Sequence, residues 1–301
     1  MRSLGTRRLV LGCLSVAVLV GVYTLVSNVG RLVDPALLPE PLARLSRPDI
    51  LPPTQAIFRA LVSLVTGQLP PMEGHHDHPS GHVSQLVEKH VTLQGALRAS
   101  VLRVLFGVAV GGPLGILTGI VLGWNQAADE YLHPIYVLLR SIPSLALITY
   151  VMLWLGHGEA HVLIPIVYAV FTTVVIPTYH GVRDLAAVYV RAARSLGAGG
   201  RLLFARVVLP AASPAVLSAL RYSIIIAWMT TVGVEMLMGD DGIGHLLVGG
   251  GLWSSRLQIG VDPAVIIVGI LALAATGYVM DAAARIVNDR VTFWARRRRA
   301  W

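Results

Sequence analysis

The chain has 301 residues, 55% of them hydrophobic and only 13% charged, with a formal net charge of +8. A soluble domain carries roughly 25% charged residues, and here apolar runs of the ~18–20 residues needed to cross a bilayer recur along the sequence. Together these exclude an ordinary soluble enzyme and define a polytopic membrane protein; the positive balance does not indicate nucleic-acid binding, because the arginines cluster in particular loops, as the positive-inside rule requires.

The first apolar run, Leu9 to Val26, predicts an uncleaved first span, since no small-residue cleavage site follows it. Cys13 is the only cysteine, so neither an intrachain disulfide nor a thiolate metal cluster can form. A long polar stretch follows, Ser27 to about Gln94, punctuated by Pro35, Pro39, Pro41, Pro48, Pro52 and Pro53. Within it, Ile57 to Thr66 predicts a short amphipathic helix lying on the membrane. Further on, HHDHPSGH sets His75, His76, His78 and His82 beside Glu73 and Asp77. Imidazole and carboxylate at this density are metal-ligand types, but such tracts bind metals weakly and adventitiously. We therefore assign no metal and read the tract as a polar insertion.

The next runs predict spans at Val101–Leu122, at Ser144–Leu155 continuing the segment YLHPIYVLLRSIP (131–143), at Val162–Tyr179, at Pro214–Leu237 and at Pro263–Ala284. That makes six spans and an all-α membrane protein. The implied organisation is an N-terminal transmembrane helix (1–27), an extracytoplasmic loop with the His-rich insertion (28–94), a core (95–284) holding a basic loop (184–210), and a basic tail (285–301). With six spans, Arg2, Arg7 and Arg8, the loop arginines Arg183, Arg191, Arg194, Arg201 and Arg206, and the tail arginines Arg285, Arg290 and Arg296–Arg299 all fall on one side. That side, with both termini, is expected to be cytoplasmic. The turn 124–130, with Asp129 and Glu130, should share it despite its acids.

In the basic loop, Leu185, Val188, Tyr189, Ala192, Ala193 and Leu196 follow helical spacing and predict one apolar face, with Arg191 and Arg194 opposite. Gly197 stands where a helix C-cap needs positive φ. GRLLFARVVL (200–209) predicts a second short helix ended by Pro210, and the small alanines leave room for close approach by another body. The plain alternative is a solvated loop that only sets topology.

Charged residues in or near spans are functional candidates; here they are Arg103, Arg140, Arg221 and Glu235. Arg140 and Arg221 are expected near cytoplasmic span ends, where snorkelling accounts for them. Glu235 is expected at the outer end of its span, pairing with an arginine or lining an outer gate. GIGHLLVGGG (242–251) is too glycine-rich for a lipid-exposed segment and reads as a loop folding back at the outer mouth or as an ordinary external loop. The only lysine, Lys89, follows no glycine run, so the chain has no phosphate-binding P-loop. No catalytic cluster and no cofactor site is found.

The pattern Ala192-Ala193, Gly197, Val207, Leu209-Pro210 resembles the coupling-loop signature of ABC importer permeases, written E-A-A…G…I-x-L-P. LLRSIPSLALITYVMLWLG before it and LRYSIIIAWMTTVGVEMLMGDDGIGHLL after it are similar to permeases of the nitrate, sulfonate, taurine and bicarbonate group. The likeness covers roughly 91–284. It implies a type I importer (MetI-like) helical bundle and a cytoplasmic coupling loop at 184–210. The implied partners are a separate cytoplasmic ABC ATPase, an extracytoplasmic substrate-binding protein, a second and identical permease copy, and the lipid bilayer of a bacterial inner membrane; nucleic acid is not among them. The implied cargo is a small oxyanion or sulfonate. One position departs from the signature: Arg191 stands where the family most often has Glu. The rival classes are a secondary carrier or channel, which would carry intramembrane ion-coupling groups, and a membrane scaffold using the same loop.

Overall fold

The structure, a computed structural model, describes residues 18, 21–25, 27, 52–66, 92–156, 158–184, 187–248 and 263–291. Most of the expected first span, the His-rich tract and the arginines of the tail beyond 291 lie outside the described residues. The chain divides into two compact units, residues 1–93 with 257–271, and residues 94–256 with 272–301. In the first, α1 (Thr54–Thr66) forms where the amphipathic pattern predicts a helix, burying Ala60 and Leu64. Tyr23 in that unit donates to the Pro52 carbonyl at 2.7 Å.

The second unit holds α2 (Leu93–Trp124), α3 (Gln126–Arg140), α4 (Leu147–Leu155), α5 (Glu159–Arg183), α6 (Ala187–Ser195), α7 (Gly200–Leu203), α8 (Leu209–Met238) and α9 (Ile243–Leu247). The last long helix, α10 (Pro263–Val291), starts in the first unit and ends in the second. Every described regular element is helical. Four stretches are long and apolar enough to cross a membrane: α2, α5, the run from Gly200 to Met238, and α10. A bent pair, Gln126–Arg140 with Ser144–Leu155, makes a fifth if counted as one span.

Five glycines on α2, spaced four apart, decide how the unit packs. A Cβ on Gly107, Gly111, Gly115, Gly119 or Gly123 would lie 2.5–2.9 Å from side-chain atoms of Ile166, Val170, Val174, Thr178 and Val182 on α5. Stripes of small residues let membrane helices approach closely, since lipid gives helices no hydrophobic reason to associate. Because both partners advance by four residues together, α2 and α5 run parallel. The chain between them must therefore return across the same thickness, and α3 with α4 is that return.

The return is broken, which corrects the expectation that 131–143 continues straight into the span at 144–155. The pair bends by 74°, and Pro143 sits in extended backbone at the break. Tyr168 of α5 donates to the Leu139 carbonyl there, which also accepts the Ile142 N–H at 3.0 Å, so the backbone at the break is satisfied inside the protein. Tyr136 secures α3 in the same way, donating to the Thr172 carbonyl at 2.7 Å.

Pro210 does not end a helix, contrary to the sequence expectation. It sits in the first turn of α8, directly after a π-helical turn, Phe204–Val208. A proline cannot donate to the i−4 carbonyl, and the wider turn is where the ladder is interrupted without a stop. α7, this turn and α8 thus form one apolar helical run of 39 residues. α8 lies antiparallel to α5. Gly181 of α5 packs on Ala215 near one end, while Glu159 and Glu235 share one arginine at the other.

Candidate functional site

Two constellations stand at opposite ends of α5 and α8. The first is the basic segment 187–210, where the sequence resemblance places a coupling loop. α6 ends in a paired cap: Gly197 has φ +83°, its N–H donates to the Arg194 carbonyl at 3.0 Å, and the Ala198 N–H reaches the Ala193 carbonyl at 3.0 Å. This is the Schellman arrangement, in which a left-handed residue lets the last carbonyls of a helix be satisfied. The glycine cap expected at Gly197 is therefore formed.

The signature residues split by burial. Ala193 and Val207 turn inward onto a cluster of Val182, Leu203, Val208 and Ala212. Arg191, Ala192, Gly197, Leu209 and Pro210 are exposed. The predicted apolar face is thus corrected: Val190 and Ala193 pack inward, while Tyr189, Ala192 and Leu196 look outward. Leu196, next to the cap, is 89% exposed. Trp124 and Phe204 meet edge to face at 5.0 Å and fix this end of α2 against the segment.

The entry to the segment is bolted to α3. Arg183, the last residue of α5, pairs with Asp129 and donates to the Tyr179 hydroxyl at 2.5 Å. Tyr179 in turn donates to Asp129 at 3.3 Å, and His133 Nδ1 lies 3.2 Å from the other Asp129 oxygen. Asp129, the acid that ran against the charge pattern of its turn, is accounted for by this pairing.

At the opposite end, Arg103 of α2 joins four pieces of chain. Its guanidinium donates to Glu235 at 2.9 Å and twice to Glu159, at 2.9 and 3.2 Å; it also pairs with Asp241 and reaches the Asp241 carbonyl at 3.3 Å. Ser100, one turn before Arg103, donates to the Glu235 carboxylate at 2.8–2.9 Å and accepts the Ile243 N–H at 2.9 Å. The Gly244 N–H completes the carboxylate's set at 3.1 Å. The glycines of GDDGIG make this approach feasible. Gly242 has φ +101°, and a Cβ there would overlap the Glu235 carboxyl group. A Cβ on Gly244 would come within 2.7 Å of the Glu235 Cβ. Residues 242–248 therefore fold back through α9, whose Ile243, Gly244, Leu246 and Leu247 are buried; Gly249–Gly251 lie outside the described residues.

Arg221, expected near a cytoplasmic span end, has a partner the sequence did not show: its Nε and Nη2 donate to both Asp281 oxygens, at 2.9 and 3.1 Å, from α8 to α10. Arg285 also binds Asp281 at 2.7 Å. Arg140 is exposed at the end of α3. Among the described residues no group of three or more metal-ligand side chains occurs.

The sequence profile described as "Binding-protein-dependent transport system inner membrane component" matches residues 111–293. The chain belongs to this permease family. A probable ABC transporter permease of Brucella abortus (strain 2308) is 32% identical over 205 residues, 68% of this chain and 79% of that protein. The taurine transport system permease protein of Escherichia coli (strain K12) is 28% identical over 251 residues, covering 83% and 82% of the two chains. Among solved structures, an inward-facing methionine ABC transporter shares the fold with a TM-score of 0.52 at 18% identity, covering 71% of this chain and 99% of that one. The permease fold is thus the helical one the sequence implied. Both the basic segment and the Arg103 network lie in the unit that contains most of the matched residues.

Sequence reasoning expected Glu235 to pair with an arginine or line an outer gate, but did not identify Arg103 as the partner. Their separation of 132 positions leaves no local pattern to read. It also missed the glycine stripe of α2, although a spacing of four was there to be counted.

Proposed function

We propose that this permease forms the translocation path of an ABC importer in a bacterial inner membrane, with both termini and residues 184–210 in the cytoplasm. In this reading, residues 184–210 dock a separate ATPase and transmit its cycle to the spans. A substrate-binding protein delivers cargo at the end bearing the Arg103 network, and a second identical chain completes the pore. The chain itself hydrolyses nothing. The cargo is a small oxyanion or sulfonate, a class supported by the taurine permease among its relatives.

The observation that carries this reading is the build of the coupling segment. Its helix turns Ala193 inward onto the ends of α5 and α8 while Leu196 stands 89% exposed at a rigid Schellman turn. Such an apolar tip on a fixed base suits a partner's pocket and passes displacement on to the two helices beneath it.

The test is gentle purification of the tagged chain from its native membranes, with Leu196→Asp as the variant. Since Leu196 touches little of its own chain, the variant folds normally. A P-loop ATPase that accompanies the parent chain and is lost from the variant supports the reading. A parent chain that purifies alone and moves cargo without ATP overturns it in favour of a secondary carrier.

A further inference from the structure

The outer face of the coupling segment carries only one sign of charge. Arg191, Arg194, Arg201 and Arg206 are all exposed, on both arms of the turn that presents Leu196. Between Ala187 and Val234 there is no carboxylate in the sequence. The acids nearest the segment are already engaged: Asp184 lies 3.0 Å from His180, and Asp129 holds Arg183 and Tyr179. Among the described residues, none of the four arginines makes an ion pair, whereas Arg103, Arg183, Arg221 and Arg285 all do. These four stand unneutralised around an apolar tip, with no acid on their own segment to pair with.

Like charges on one segment repel one another, and the segment bears that cost in isolation. A partner that supplies carboxylates removes it and gains directed hydrogen bonds, because guanidinium matches carboxylate through two parallel N–H···O contacts. We propose that the cleft receiving residues 187–208 has an apolar floor for Leu196 and an acidic rim facing Arg191 and Arg194. This rests on the reading of the segment as the ATPase-docking element and goes beyond it by fixing the sign of charge on the partner. Arg191 then pairs across the interface with an acid of the ATPase, so a generic ATPase with a basic rim is rejected by like-charge repulsion.

The experiment uses the complex purified from native membranes, with bound ATPase identified by its P-loop peptides. Salt screens such rim contacts, so raising it from about 0.1 to about 0.5 M should cut the retained ATPase roughly tenfold. Arg191→Glu with Arg194→Glu should lose a similar amount at low salt and flatten the salt dependence. Arg191→Lys with Arg194→Lys should retain most of the binding. The exposed sites leave folding intact, which an unchanged melting profile of each purified variant checks. Retention that is equal at both salts and in the Glu variant overturns the acidic rim while leaving the docking reading standing. Unchanged ATPase retention with loss of binding to vesicles of three parts phosphatidylethanolamine to one part phosphatidylglycerol assigns the arginines to the lipid surface and overturns it too. Absence of any ATPase from the parent preparation at either salt overturns the ATPase-docking reading, and the acidic rim falls with it.

Discussion

Arg103 of α2 holds the fully buried carboxylate of Glu235 of α8 at 2.9 Å, and the same guanidinium carries the 65% exposed Glu159 of α5. One cation therefore has a buried half and a solvent half. The two differ in worth, because removing one member of a buried pair leaves an uncompensated charge, whereas exposed pairs contribute little.

Arg103→Ala should destabilise the protein by about 3 kcal/mol or more, since Glu235 keeps only Ser100 and the Gly244 N–H. Glu159→Gln should cost no more than about 1 kcal/mol. Thermal unfolding in detergent, followed by circular dichroism, checks both. Equal losses for the two variants would show that the buried half carries no special weight.

The glycine stripe makes a second prediction. Gly115→Val puts branched carbons where a single Cβ already lies 2.8 Å from the Val174 Cβ and 2.9 Å from the Phe171 carbonyl. α2 and α5 must then separate, at a cost of about 1–3 kcal/mol. Gly199→Val, with nothing within 4 Å of its Cβ, should change the same melting profile very little.

How far the fold was readable follows from what a local pattern encodes. Apolar runs located α2, α5, α8 and α10 because hydropathy is a property of each segment alone. The cap at Gly197 was readable for the same reason, since a helix end is decided by its own few residues. Pro210 misled because a proline is read as a stop, and the π turn at Phe204–Val208 absorbed it. The break at Pro143 was hidden by apolar residues on both sides, which supported one continuous span. Tyr189 and Ala192 of α6 and the adjoining Leu196 are exposed although they share the apolar face, because periodicity defines a face without saying what lies against it. The Arg103–Glu235 and Arg221–Asp281 pairs join residues on different helices, so only the packed structure brings them together.

Two glycines with positive φ separate backbone strain from collision. At Gly156, φ +73°, a methyl group would meet nothing within 4 Å, whereas at Gly242, φ +101°, it would overlap the Glu235 carboxyl group. Gly156→Ala should cost only the backbone penalty of its positive-φ, extended conformation (φ +73°, ψ −168°), about 1–3 kcal/mol. Gly242→Ala should cost clearly more and should displace α9. Limited proteolysis near residues 239–248 should therefore accelerate in Gly242→Ala and stay at the parent rate in Gly156→Ala. Equal protection in both would mean that the turn relaxes away from Glu235 without disturbing its surroundings.

The Arg221–Asp281 pair sets a test of charge inside the helical body. The Asp281 side chain is 17% exposed and contacts Arg221 through both oxygens. Removing one partner strands the other at span depth, and stranding is costlier than removal of both, because two apolar residues need no counter-charge. Arg221→Leu alone and Asp281→Leu alone should each lower the melting temperature. The double variant should lie nearer the parent than the sum of the two, a non-zero coupling in the double-mutant cycle. Arg285, which also binds Asp281 at 2.7 Å but is itself 54% exposed, keeps its charge in water and should not rescue Arg221→Leu. Strict additivity of the two single changes would mean that the pair is held in place by helix packing and contributes no coupling of its own.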